Sequence, residues 1–155
     1  MDLSGLVRPD GIVVDLKATS KKQALQELSN RAAELTGRQP REIFDTLLQR
    51  ERLGSTGLGR GIAIPHIKLA NLDGIVCLFA RLSKPIDFEA IDNEPVDLIF
   101  LLLAPEHASG DHLKALSRIS RLMRVPTALE DLRAASSEKE IRRVLSEKTS
   151  QPHAA

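Results

Sequence analysis

The spacing of apolar positions changes along the chain, and each change marks an element. Residues 12–16, IVVDL, read as a short strand. In the following TSKKQALQELSNRAAELTG, Ala24, Leu25, Leu28, Ala32 and Leu35 recur at helical intervals. Ser20 with Gln23 three residues on predicts a capping box at the start of this helix, and Gly37 a left-handed cap at its end. Pro40 suits the first turn of a second helix, whose buried stripe is Ile43, Phe44, Leu47 and Leu48; it carries Arg50 and Arg52 in its last turn and stops at Gly54.

Beyond that glycine the spacing becomes that of strands. IAI (62–64) is a minimal strand, GIVCLFARL (74–82) a longer one, and PVDLIFLLLA (95–104) an almost unbroken apolar run, the pattern of a strand covered on both faces. The polar stretch between the last two is a connection with a short edge strand at IDF, 86–88. From Ser109 the helical period returns with Leu113, Leu116, Ile119, Leu122 and Met123. Pro126 opens another helix, and Ser137 with Glu140 caps a last one. Helices and strands interleave with no repeat, low-complexity tract or linker. The expectation is a single α/β domain over residues 1–155, a mixed β-sheet flanked by helices, with a frayed tail from about Thr149.

Composition narrows the partners. A chain of 155 residues is long enough to bury about two thirds of its unfolded surface. Lys and Arg number 22 against 21 Asp and Glu, so no global field selects nucleic acid or an anionic membrane. Four Phe with no Trp or Tyr leave no stacking platform for single-stranded nucleic acid. The one cysteine, Cys77, lies inside an apolar run and reads as a small buried hydrophobe. No segment has the apolar length of a membrane span or the pattern of a secretory leader, so the expected location is the cytoplasm.

Residues 54–66, GSTGLGRGIAIPH, hold four glycines followed by a proline and a histidine. Glycine loops commonly hold phosphate, because backbone N–H groups close around an anion only where no Cβ intrudes. The P-loop pattern fails for want of its lysine and following helix, and the dinucleotide fingerprint fails because here a helix precedes and a strand follows. What remains is a loop that delivers His66, with Pro65 fixing the direction in which the imidazole leaves the strand. Arg50, at the end of the helix feeding the loop, carries the fork that pairs with a phosphoryl group. His112, near a helix N-terminus, could donate a hydrogen bond to the same group. Taken singly, each has an ordinary structural explanation: a loop histidine, an arginine complementing a helix dipole, a histidine at the edge of the core. A zinc site of His66, His107 and His112 lacks a supporting cysteine or placed carboxylate. Lys114, Arg118 and Arg121 recur at helical spacing, as a solvated face or as a surface for an acidic partner.

The segment REIFDTLLQRERLGSTGLGRGIAIPHIKL resembles the active-site segment of phosphotransferase-system enzyme IIA domains of the fructose and mannitol class, most closely the nitrogen-type members. The likeness continues through PIDFEAIDNEPVDLIFLLLAPE and DHLKALSRISRLM and covers about Lys21 to Leu145. It implies the enzyme IIA fold and a histidine, His66, that accepts a phosphoryl group from an HPr-like phosphocarrier (NPr), with Arg50 and His112 as its active-site companions. The family commonly has Gly-Lys after the histidine, where this chain has Ile67-Lys68. On these roles, backbone N–H groups near Ser55, Thr56 and Gly57 are expected to hold the phosphoryl oxygens, and Leu58, Ile62 and Ile67 to form the docking face. No metal or other cofactor is required. Three functions are compatible: a regulatory phosphoprotein, a sugar-uptake enzyme IIA that passes the group to an enzyme IIB and permease, and a binding module that takes no phosphoryl group. With no fused IIB, carrier or membrane segment in the sequence, the first is expected; its regulatory targets are not named by the sequence.

Overall fold

The run Val96–Pro105 is the central strand of a six-stranded mixed sheet, and the two-residue period of a strand divides its side chains between two cores. Leu98, Phe100 and Leu102 belong to one buried cluster, Ile99, Leu101 and Leu103 to the other. Burial on both faces removes any need for polar alternation, which is why the sequence reads there as continuous hydrophobe. The computed structural model describes residues 3–107 and 110–150. In chain order the elements are α1 (Leu3–Leu6), β1 (Val7–Leu16), α2 (Lys21–Thr36), α3 (Pro40–Leu53), β2 (Gly57–Gly59), β3 (Ile62–Ala63), β4 (His66–Leu69), β5 (Val76–Ile86), β6 (Val96–Pro105), α4 (Asp111–Met123), α5 (Pro126–Ala134) and α6 (Glu138–Ser150).

The strands lie in the order β1-β5-β6-β3-β2, with β4 following β3 along the same edge of β6. β5 and β6 are antiparallel, β1 runs parallel to β5, and β3 and β4 run parallel to β6. Helices α2 and α3 cover one face through Leu25, Leu28, Ile43 and Leu47. The other face is covered by α1 and α4–α6, through Leu3, Ile119, Leu132 and Leu145. In this second core Phe79 and Phe100, cross-strand partners, meet at a ring separation of 4.9 Å and a tilt of 58°.

Register places the site. Ile62 pairs with Leu98 and Ala63 with Ile99, then His66 with Leu102 and Ile67 with Leu103, so the alignment is the same on both sides of Pro65. Proline lacks the donor but keeps the acceptor, and the Pro65 carbonyl accepts from the Leu102 N–H at 2.9 Å. The two short strands are one line interrupted by a proline.

The helix caps form as expected. Ser20 Oγ accepts from the Gln23 N–H at 3.1 Å, and Gly37, at φ 73°, donates its N–H to the Ala33 carbonyl. At α6 Ser137 Oγ accepts from the Glu140 N–H at 3.2 Å. The Glu140 carboxylate, however, reaches back one residue further, to the N–H and hydroxyl of Ser136, which hold its carboxyl below the usual range, the backbone donor contributing most.

Elsewhere the boundaries differ from the sequence expectation. The first strand begins at Val7, five residues early, carried past Pro9 and Gly11 by a register shift, and the one-turn α1 precedes it. β4 was not expected, because proline and histidine resemble the end of a strand. β5 starts at Val76 and, past an irregularity, runs to Ile86, so there is no separate edge strand at 86–88; Phe88 leaves the sheet and is fully buried. Ser109, the expected start of the fourth helix, lies outside the described residues, and α4 begins at Asp111. α6 continues to Ser150, past the expected point of fraying, and the tail beyond it is outside the described residues. No helix among the described residues is long and apolar enough to cross a membrane.

Cys77 is fully buried on β5, and burial pushes its thiol up to about 12. The native protein is therefore expected to resist a thiol-specific reagent near neutral pH and to react fully in denaturant, as followed by absorbance. Rapid labelling of the native chain would contradict this packing.

Candidate functional site

The glycines after α3 serve the backbone. β2 and β3 form an antiparallel hairpin whose two connecting residues, Arg60 and Gly61, both have left-handed φ, 57° and 80°. A two-residue hairpin turn of type I′ requires that at both positions. A Cβ on Gly61 would lie 2.8 Å from Asp97 Oδ1 and would also strike the Arg133 guanidinium. Arg133 pairs with Asp97 through two bonds of 2.8 and 3.0 Å and donates to the Arg60 carbonyl at 2.6 Å, locking the turn from outside. At Gly57 a Cβ would sit 2.9 Å from Ala90 Cα, so this glycine permits close packing of the β5–β6 connection.

From this hairpin a continuous line of hydrogen bonds leads to His66. The buried carboxylate of Glu51, in the last turn of α3, takes an ion pair from Lys21 at 2.9 Å. It also accepts both the N–H and the hydroxyl of Thr56, at 3.0 and 2.5 Å. The Thr56 carbonyl accepts the Ile64 N–H at 2.9 Å, and the Ile64 carbonyl lies 2.8 Å from His66 Nδ1. Lys21 is held in turn by the face of Phe88, 4.8 Å from the ring centroid. Glu51 is a supporting residue of the loop that the sequence reading passed over. Its signal was available: an acid in a helix whose neighbours face solvent, followed five residues later by a threonine.

A carbonyl oxygen only accepts, so the contact to Ile64 requires Nδ1 to carry the proton. In the neutral ring Nε2 then holds an exposed lone pair. Ile62 and Ile64 belong to the core facing α4–α6, and alternation along the strand line turns His66 the same way. The ring opens into a groove of about 520 Å³ between the last turns of α3 and the first turn of α4. Arg50 and His112 line this groove with His66, so the three histidine and arginine candidates are brought together. Arg50 donates one N–H to the Gly54 carbonyl at 3.0 Å, which anchors the guanidinium at the helix end. Thr46, Gln49 and Leu53 join Arg50 along one face of α3, and Lys68 lies two residues beyond His66 on β4. The helical spacing of the α3 residues is readable in the sequence.

Other expectations are corrected. Ser55, Thr56 and Gly57 do not line the groove. The Thr56 N–H is spent on Glu51 and the Gly57 N–H on Ser55 Oγ, which itself donates to the Phe88 carbonyl, so neither amide is turned toward an incoming anion. Ile62 is fully buried and cannot form a docking face. Ile67 is buried as well and supplies part of the groove wall, while Leu58, 40% exposed, stands on β2 away from it. The exposed apolar residue at the groove is Leu53, among its lining residues; Leu113, also exposed, lies on α4 beside Lys114, Ser117 and Arg121 instead. Among the described residues no three His, Cys, Asp or Glu side chains are grouped to hold a metal ion, and the exposed His107 does not line the groove.

Comparison with known proteins places this geometry. Residues 6–148 match the family described as phosphoenolpyruvate-dependent sugar phosphotransferase system, EIIA 2. The chain belongs to that family. EIIA proteins are phosphoryl carriers of the phosphotransferase system, and they interact with phosphocarrier and IIB proteins. Among relatives, a protein of Bradyrhizobium diazoefficiens named nitrogen regulatory protein is 57% identical over 145 residues, covering 94% of this chain and 95% of its own. The crystal structure of nitrogen regulatory protein IIA-Ntr from Neisseria meningitidis superposes with a TM-score of 0.87 at 36% identity, covering 92% of this chain and 98% of that one. The mannitol enzyme IIA of Escherichia coli, solved in complex with phosphorylated enzyme IIB, has a TM-score of 0.75 at 18% identity, over 92% of this chain and 99% of that one, and shares the fold. The mixed sheet flanked by helices expected from the sequence is thus the EIIA fold.

The Glu51 link generates a stability prediction. Glu51→Ala leaves Lys21 and two donors of Thr56 without their buried acceptor and is expected to lower unfolding free energy by about 3 kcal/mol, measured by urea denaturation. A change below about 0.5 kcal/mol, the scale of an ordinary surface substitution, would remove Glu51 from its supporting role.

Proposed function

We propose that His66 accepts a phosphoryl group at Nε2 from the phosphohistidine of an HPr-like carrier (NPr), and that the chain regulates other proteins according to its phosphorylation state. The observation that carries this reading is the Nδ1 contact to the Ile64 carbonyl, which leaves Nε2 as the nucleophile in the groove. The Nε2 lone pair forms the new N–P bond as the donor's N–P bond breaks, and the donor ring takes the electron pair. Such a transfer asks the protein for alignment and charge more than for covalent chemistry. Arg50 supplies its remaining N–H donors to the phosphoryl oxygens, His112 and the first turn of α4 face them from the other side, and Lys68 adds a second positive charge. As positive charge builds on the His66 ring, the Ile64 carbonyl stabilises it by accepting a stronger hydrogen bond.

The regulatory reading is supported by the relatives named nitrogen regulatory protein, which match this chain across most of their length. About two negative charges added at His66 change the complementarity of the surrounding face. Leu53, exposed among the residues lining the groove, supplies an apolar anchor for a partner there.

Incubation with phosphoenolpyruvate, enzyme I and an HPr-like carrier is expected to add one acid-labile phosphoryl group, read by intact mass. His66→Ala abolishes the adduct, and Arg50→Gln slows its formation by about 10²–10³-fold with the fold unchanged by circular dichroism. An adduct of normal yield on the His66 variant would refute the assignment.

A further inference from the structure

A second cleft, of about 650 Å³, lies between α1 with the start of β1 on one side and the first two turns of α4 on the other. Arg8, Lys114 and Arg118 line it against one carboxylate among the described residues, Asp111, over a floor that includes Val7, Ile75 and Ala115. In a chain whose net charge is +1, this local excess of positive charge is not a bulk property. None of the three cationic side chains forms an ion pair or hydrogen bond among the described residues. Arg38, Arg60, Arg81, Arg133 and Arg142 spend their guanidinium groups on carbonyls or carboxylates, whereas Arg31, Arg41, Arg52, Arg121 and Arg124 are unpaired among the described residues too. What distinguishes Arg8, Lys114 and Arg118 is that they line one cleft. Three like charges beside one carboxylate leave a net positive charge in the cleft, and an anion between them relieves their repulsion. The wall bearing Arg8 is fixed in advance: Arg142 donates to the carbonyls of Ser4, Val7 and Arg8 at 2.7, 3.2 and 2.9 Å.

We propose that this cleft binds a small organic anion carrying at least two acidic groups. Two guanidinium forks and an ammonium meet the acidic groups, and the apolar floor takes the carbon skeleton. Its size falls within the common range for small-molecule sites, roughly 300–1,000 Å³. The concave arrangement favours such a molecule over a protein surface. Arg121, the third cation of the α4 stripe, lies outside this cleft. The first turn of α4 is the wall shared with the His66 groove, for Asp111 faces the cleft and His112 the groove. An occupant therefore bears on the element that carries His112.

The test is calorimetric titration of the full chain with citrate and, separately, with fructose 1,6-bisphosphate at fixed ionic strength. Saturable binding of either probe is expected, weakened about tenfold or more by Arg8→Gln or Arg118→Gln and unchanged by Arg121→Gln. The tighter probe shows whether the cleft reads carboxylates or phosphates. No saturable binding of either, or equal weakening by Arg121→Gln, would overturn the site and leave a basic helix face in its place. No carrier is present in this experiment, so its outcome is separate from that of phosphoryl transfer to His66.

Discussion

The hydrogen bond between His66 Nδ1 and the Ile64 carbonyl is the contact on which the groove depends. It decides which ring nitrogen is protonated, and hence which one can react. A carbonyl can do this only if its own position is fixed, and Ile64 is fixed twice. Its N–H is bound to Thr56, and the strand line on either side of it keeps one register with β6. Thr56 is bound to Glu51 and Glu51 to Lys21, so the tautomer of a half-exposed histidine is supported by an ion pair on another helix. The buried ion pair has a cost in desolvation. Here it also satisfies two donors of a turn that no secondary structure covers.

The site sits where the layers of the fold meet. His66 is at an outer position of the sheet, with α3 from one layer and α4 from the other closing over it. That arrangement gives the groove an arginine from a helix end and a histidine from a helix beginning, without inserting either into the core. The glycine-rich segment contributes by being thin. Gly57 lets Ala90 approach and Gly61 lets Arg133 and Asp97 clasp the turn, and the hairpin so formed feeds directly into Ile64.

Much of this was legible in the residues. Helices α2 and α3, their caps and the doubly covered β6 follow from apolar period and cap chemistry, which are local. His66, Arg50 and His112 were legible as candidates because few residue types suit phosphoryl transfer. The Thr56 and Gly57 amides, expected to hold phosphoryl oxygens, are engaged elsewhere for a physical reason. A glycine loop shows its conformational freedom in sequence but not where its N–H groups point, and here they point at Glu51 and Ser55. Ile62 was misassigned because an apolar residue beside a loop looks the same whether it faces partner or core. β4 was hidden because Pro65 breaks the local pattern while the register, a property of the partner strand, continues.

The central claim is that His66 reacts at Nε2 because Ile64 holds the proton on Nδ1. The measurement that tests it most directly is a long-range proton–nitrogen NMR spectrum of the ¹⁵N-histidine-labelled protein, recorded with the ring neutral and again after phosphorylation by the carrier. The account predicts a neutral ring protonated at Nδ1, and a phosphorus coupling at Nε2 once the group is transferred. A ring protonated at Nε2, or phosphorus bonded to Nδ1, would contradict it.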